Sequence, residues 1–472
     1  MNDTICAVST GVSPGGIGII RLSGNEAVKI AASVFAGADL NCVDSHTIHF
    51  GHIKNGDEVI DEVLISVMRA PKTYTREDVV EINCHGGIIV LKRVMSLLIE
   101  KGARPAEPGE FTKRAFLNGR IDLTEAEAVM DIISSGSKYA LSGAMQQLSG
   151  ALSSRIKEIR DKLIYEIAFI ESALDDPEHY SLDDYPSKLD GVVNDCINNI
   201  DRLIESADSG SLIKNGINTV ILGKPNAGKS SLLNLLSGTE RAIVTDIPGT
   251  TRDTLSEQIN LNGILLNVTD TAGIRETDDT VEKIGVKRSL EKSEAADLII
   301  LVCDSSLPLD ENDRMIFEKL SEREKDPEAT KQVKIVLLNK SDLSSVTTSE
   351  EILKYIDAPV IETSMIDNGT ESAGSKEVKG INELENKIVE LFFNGKININ
   401  EEVYIANERH KYLLSEAKRS LLLVKKSIED NMPEDFYSVD LTDAYASLGL
   451  IIGEEIRDDV ADEIFSKFCM GK

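Results

Sequence analysis

The residues able to do chemistry fall into short, ordered strings. Residues 223–230 read GKPNAGKS. Gly223 and Gly228 let backbone N–H groups, those around Ala227 and Ser231 included, close round phosphate oxygens. Lys229 reaches the outer phosphates, and Ser230 offers magnesium a hydroxyl. Further on, TDIPGTTRD supplies hydroxyls and free carbonyls from Thr245, Asp246, Ile247, Pro248, Gly249, Thr250 and Thr251, with Thr251 the second magnesium hydroxyl. In DTAG (Asp270, Thr271, Ala272, Gly273) the acid can hold the magnesium shell and the glycine N–H can meet the terminal phosphate. NKSD then fixes the base. Asp342, after Asn339 and Lys340, accepts from guanine N1–H and its exocyclic amine, whereas adenine presents an acceptor at N1 and no such amine. Together the strings predict a GTP site.

Hydrolysis asks for more than binding. Residue 274, after DTAG, is isoleucine, which cannot orient water by hydrogen bonding. Asn226 and the 245–253 loop could instead hold a weakly hydrated monovalent cation that stabilises developing charge, although Asn226 also fits an ordinary turn. For a water-organising acid the residues leave Glu276, Asp278, Asp279 and Glu282 open.

These loops need elements to position them. INTVILG reads as a buried strand into the phosphate loop, and SSLLNLLSG as the helix after it, capped at Gly238. ILLNVT, DLIILVCD and KIVLLN continue a parallel-sheet pattern. Upstream, HTIHFGHIK and DEVLISVMRAP flank Asn55-Gly56, a hairpin signal, and IIVLKRVMSLLIEKG is apolar at helical spacing and closed by Gly102. From Leu123 the texture turns to long amphipathic helices, including ALSSRIKEIRDKLIYEIAFIESAL, stopped at Asp175-Asp176-Pro177, and a helix from Val192 to Ala207. Helices return from Glu401. The reading is multidomain. An α+β N-terminal domain spans 1–120 and a split α-helical domain takes 121–214 and 396–472. An α/β P-loop domain at 215–395 is inserted between the halves.

Composition limits the partners. Against 51 basic residues stand 80 acidic ones, a net charge of −29, which repels nucleic-acid phosphate overall and leaves RNA contact to local patches or a partner. Lys411, Lys418 and Lys425 repeat every seventh position, a spacing that forms one basic stripe on a helix. The six cysteines make no C-x-x-C pair, so zinc and disulfide frameworks are not expected. No apolar run approaches the roughly 18 residues of a membrane span, and no signal-peptide pattern opens the sequence. A cytoplasmic location without membrane contact is expected.

GKPNAGKSSLLN, TDIPGTTRDT, DTAGIRET, NKSD and FCMGK at 468–472 together resemble the MnmE (TrmE) family of tRNA-modification GTPases over essentially the entire chain. The resemblance implies an N-terminal domain similar to tetrahydrofolate-binding domains, which also forms a homodimer, and a potassium-stimulated GTPase. It further implies an FAD-dependent MnmG-like partner in a heterotetramer or larger complex. With that partner, the wobble uridine of certain tRNAs gains an aminomethyl or carboxymethylaminomethyl group. Carried over by position, potassium falls to Asn226, Thr245, Ile247 and Thr250, magnesium to Ser230 and Thr251, and the water-organising role to Glu282. 5-Formyltetrahydrofolate or a related folate falls to Arg21, Glu81, Arg120 and Lys472. A carboxylate suits the N–H donors of a pterin, and cations suit its acidic tail. The rival expectation is a ribosome-assembly GTPase, a timed RNA-binding factor whose only chemistry is hydrolysis.

Overall fold

The structure is a computed structural model that describes residues 3–11, 14–176, 179, 184–239, 256–269, 294, 296–323, 332–365, 379–393, 405–454, 456, 458–468 and 471. The chain divides into two compact units. One comprises Met1–Met130, Gln146–Cys196 and Glu416–Lys472, the other Asp131–Met145 and Ile197–Ser415.

In the first unit the strands are β1 (Ile5–Val8), β2 (Gly15–Ser23), β3 (Phe35–Ala36), β4 (Thr47–Asn55), β5 (Glu58–Met68), β6 (Val79–Gly86) and β7 (Arg104–Pro105). They form one sheet in the order β3-β4-β5-β6-β2-β1-β7, antiparallel except for the β1–β7 pair. The expected hairpin is there, with Gly56 at φ 61° in its turn. Alternation along the strands sorts the faces. Ile20, Leu22, Val63, Ile65, Val80 and Ile82 are buried beneath α1 (Ala27–Val34) and α2 (Ile88–Glu100), whose Leu91, Val94, Leu97 and Leu98 lie on the facing side. The other face of the sheet carries Arg21, Glu81 and Asn83, with Leu64 and Phe50 directly paired.

The remaining helices begin with α3 (Glu110–Leu117), α4 (Leu123–Ser134), α5 (Lys138–Leu148), α6 (Ala151–Asp175) and α7 (Tyr185–Asn215). Helix α6 ends where the acidic pair and proline predict; α7 is longer than expected and leads directly into the phosphate-loop strand.

In the second unit β8 (Ile217–Leu222), β9 (Ser256–Leu261), β10 (Ile264–Thr269), β11 (Leu298–Asp304), β12 (Val333–Asn339) and β13 (Val360–Glu362) form a sheet in the order β13-β12-β11-β8-β10-β9. All pairs are parallel except β9–β10. Every residue of β11 is buried, because a parallel sheet is covered on both faces. Ile217, Ile221, Leu298, Ile300, Ile335 and Leu337 enter one core; Val220, Leu222, Ile299, Leu301, Val336 and Leu338 enter the other. Helices α8 (Lys229–Thr239), α9 (Glu311–Arg323), α10 (Ser349–Ile352) and α11 (Ile381–Phe393) follow the strands. Gly238 lies within α8 instead of capping it. One interior glycine costs only about 1 kcal/mol, which the apolar face carrying Leu232 and Leu236 absorbs. The chain continues through α12 (Glu408–Glu429), α13 (Glu434–Ile452) and α14 (Asp458–Ser466). Within the first unit α13 packs along α6, and Phe465 and Phe468 close over Leu123 and Ala126.

Candidate functional site

The loop between β8 and α8 is held open by its glycines. Gly223 sits at φ 142° with β11 so close that a Cβ would lie 2.3 Å from the Val302 carbonyl oxygen; Gly228, at φ 111°, would place one 2.1 Å from Asn339 Nδ2. No other residue type fits either position. Asn226 stands at φ 60°, exposed, and Ser230 and Ser231 are exposed in the first turn of α8. These hydroxyls and the free N–H groups at the helix start suit a magnesium-bound phosphate. Lys229 donates to the carbonyls of Gly223 and Lys224, each at 2.7 Å, and burial pushes its ammonium below the usual lysine range.

The end of β12 is tied to this loop. Asn339, 3% exposed, donates from Nδ2 to the Ala227 carbonyl at 2.8 Å. Lys340, at φ 63°, donates to Asp304 Oδ2 at 2.6 Å, and Asp342 Oδ1 accepts from Ser364 at 2.7 Å. The parallel register sets Asp304 opposite Asn339, so the ends of β11 and β12 reach the same edge of the sheet. Ligands of open parallel sheets bind at this carboxyl edge. Burial alone would raise the Asp304 carboxyl, but hydrogen bonds from Lys340 and Ser306 outweigh it and hold it below the usual carboxylate range. Met365, a few residues beyond β13, places its sulfur 3.6 Å from where a Gly228 Cβ would stand.

A second cluster lies in the first unit. Arg21 and Glu81 face each other in the β2–β6 register and pair at 2.8 Å. The Arg21 guanidinium is 5.9 Å from the Tyr74 ring centroid and 5.7 Å from that of Phe111; the Arg120 guanidinium is 4.8 Å above the same Tyr74 ring. Two of the expected folate residues, Arg21 and Arg120, thus meet at one aromatic ring, and a third, Glu81, pairs with Arg21. Two cations, a carboxylate and an exposed sheet face form a donor set suited to an aromatic, acidic ligand. The Gly471 carbonyl accepts from Ser9 at 3.1 Å, while Lys472 lies outside the described residues.

Thr245, Asp246, Ile247, Pro248, Gly249, Thr250, Thr251, Asp270, Thr271, Ala272, Gly273, Ile274 and Glu282 also lie outside the described residues. The three lysines of the expected stripe all lie on α12, where Lys411 pairs with Asp208 at 2.7 Å, Lys425 donates to Asn194 at 2.6 Å, and Lys418 is likewise engaged. Spacing places lysines on one helix face but does not reveal what acids lie opposite. Tyr74, Asp304 and Asp313 were not singled out in the sequence, where nothing separates them from other tyrosines and acids.

A glycine-shaped phosphate loop between a buried strand and a helix, cross-tied to an N-K-x-D loop, defines a P-loop GTPase. The MnmE helical domain family matches residues 123–469, and the family described as the GTP-binding protein TrmE N-terminus matches residues 4–120. The tRNA modification GTPase MnmE of Lachnoclostridium phytofermentans is 51% identical, with 100% of this chain and 99% of that protein covered; its counterpart from Acetivibrio thermocellus is 48% identical at the same coverage. The G domain of the T. maritima FeoB iron transporter is 29% identical over 37% of this chain and 97% of its own, at a TM-score of 0.26. The chain belongs to the MnmE family of tRNA-modification GTPases, and it hydrolyses GTP.

Proposed function

We propose that this chain is a potassium-stimulated GTP hydrolase that modifies the wobble uridine of certain tRNAs at position 5. It works in the cytoplasm with an FAD-dependent MnmG-like partner, in a heterotetramer or larger complex, and uses the one-carbon unit of 5-formyltetrahydrofolate or a related folate. The observation that carries the guanine-nucleotide part is the Asn339–Ala227 tie, which brings the base-reading and phosphate-binding loops into one site. Ser230 and Thr251 hold magnesium, which neutralises charge on the phosphates. Asn226, Thr245, Ile247 and Thr250 hold potassium, and Glu282 orients the attacking water in place of the glutamine that Ile274 replaces.

Arg21, Glu81, Arg120 and Lys472 receive the folate, a reading supported by the way Arg21 and Arg120 converge on Tyr74 while Glu81 pairs with Arg21. The homodimer uses the sheet face opposite α1 and α2, where Ile48 and Phe50 are 65% and 62% exposed and Leu64 46%. A second copy would cover that apolar strip. Among the described residues no helix is long and apolar enough to cross a membrane.

The test compares GTP turnover in potassium and sodium at constant ionic strength. The expectation is at least a tenfold rise in potassium, equivalent to about 1.4 kcal/mol of barrier. Asn226→Ala should erase most of the rise while leaving GTP binding largely intact, and Glu282→Ala should slow hydrolysis in both salts. Equal turnover in the two salts would return the reading to a timing GTPase of the ribosome-assembly kind.

A further inference from the structure

The connection from β11 to α9 touches both nucleotide loops. At its start Asp304, 4% exposed, receives Lys340 Nζ on Oδ2, while its Oδ1 accepts from the Ser306 backbone at 3.0 Å and the Ser306 hydroxyl at 2.6 Å. The Ser305 carbonyl accepts from the backbones of Val346 and Thr347, and the Leu307 carbonyl from the Thr347 hydroxyl, so the segment is also fastened behind the guanine loop. At its far end Asp313, also 4% exposed, receives Lys224 Nζ at 2.8 Å. Asp310 accepts from the same ammonium at 3.3 Å and holds the backbone N–H groups of Asn312 and Asp313. Lys224 belongs to the phosphate loop, and its carbonyl is one of the two that Lys229 donates to.

We propose that this connection is a brace that sets both nucleotide loops, with Asp304 positioning Lys340 beside the base and Asp313 positioning Lys224, and through its carbonyl Lys229, at the phosphates. Neither carboxylate touches the nucleotide. A lysine side chain loses substantial rotamer freedom when held in one place, and a buried carboxylate at its tip meets that cost before ligand arrives. Asp304 therefore fixes the Lys340 stem between Asn339, which holds the phosphate loop, and Asp342, which receives the base. The geometry also separates the two jobs. Asp304 serves retention of the nucleotide without choosing the base, because base choice rests on Asp342.

Double-mutant cycles on the full-length protein test the brace, reading GDP dissociation by stopped flow with a fluorescent analogue, and base preference by competition with GDP, XDP and ADP. Asp304→Asn is expected to release GDP about tenfold faster. In a Lys340→Met background the same substitution should add less than twofold, and guanine-over-xanthine preference should stay unchanged throughout. Asp313→Asn should behave in the same way towards Lys224→Met. A merely structural role predicts something different: each carboxylate substitution would accelerate release equally with or without its lysine, and that additivity overturns the proposal. Should Asp304→Asn fail to fold, Ser306→Ala, which removes one hydrogen bond from the same carboxylate, takes its place in the cycle against Lys340→Met and is judged by the same two outcomes.

Discussion

Replacing Gly228 with alanine asks how far nucleotide binding depends on the cross-tie between loops. The new Cβ would stand 2.1 Å from Asn339 Nδ2, far inside contact distance, on a backbone at φ 111° that side-chain-bearing residues rarely adopt. The conformation alone costs about 1–3 kcal/mol. Moving Asn339 aside also breaks its 2.8 Å hydrogen bond to Ala227, worth about 1 kcal/mol net. Without nucleotide the loop can relax and shed most of this penalty, so thermal stability should fall little. With nucleotide the loop must return to its cradle, and the penalty reappears in binding. Taking about 2 kcal/mol as the unrelieved part, GDP affinity should drop about thirtyfold, measurable by isothermal titration. Gly56→Ala is the control. Its φ of 61° is also left-handed, but a Cβ there meets nothing within 4 Å, so it should lower the melting temperature slightly and leave GDP affinity unchanged. GDP affinity within twofold of the parent in Gly228→Ala would refute the reasoning, since it would mean that the cradle is not the binding conformation.

Asp342→Asn should shift preference from guanine to xanthine nucleotides, because the new amide meets a carbonyl where the amine was; full retention of GTP preference in a competition assay would reject the base assignment. Arg114, 1% exposed by side chain, is surrounded by Asp3, Glu77 and Glu110, so Arg114→Leu takes the cation from the largely buried Glu77, leaves Asp3 and Glu110 to Arg104 alone, and should cost about 3 kcal/mol in chemical denaturation. The hydrogen bond that His85 Nδ1 donates to the Asp61 carboxylate raises the imidazole above the usual histidine range. That pairing is therefore present in acid and lost as pH rises through the folded value, and Asp61→Asn should bring the His85 titration midpoint down in an NMR titration.

The parallel strands were readable because strands buried on both faces appear as near-continuous apolar runs: LIILVCD and VKIVLLN need no partner to be recognised. The hairpin was readable because Asn55-Gly56 carries its own turn chemistry. Likewise the phosphate loop and guanine string specify their roles by residue type at fixed spacing. What escaped reading was pairing at long range. Asp304 and Asp313 are two among 80 acids, and only the register of β11 beside β12 and the start of α9 reveals that each meets a lysine from a nucleotide loop. The partners of the lysine stripe were hidden for the same reason: those of Lys411 and Lys425 come from α7, more than two hundred positions away. Tyr74 belongs with these, since its significance is that two arginines from distant strings converge on its ring.

The hydrogen bond from Ser9 to Gly471 joins residues 462 positions apart, and Gly471 lies so close to β1 that a Cβ would stand 2.3 Å from the Val8 carbonyl. A ribosome adding about 5–20 residues per second needs roughly half a minute to a minute and a half to travel that distance. For that interval the far end of β1, at Val8 and Ser9, waits without its C-terminal neighbour, although β2 and β7 already flank the strand. The N-terminal sheet can thus form early, but the contact at Ser9 closes only when residue 471 arrives, which makes this end of β1 the place where a chaperone or protease would find a chain still under synthesis.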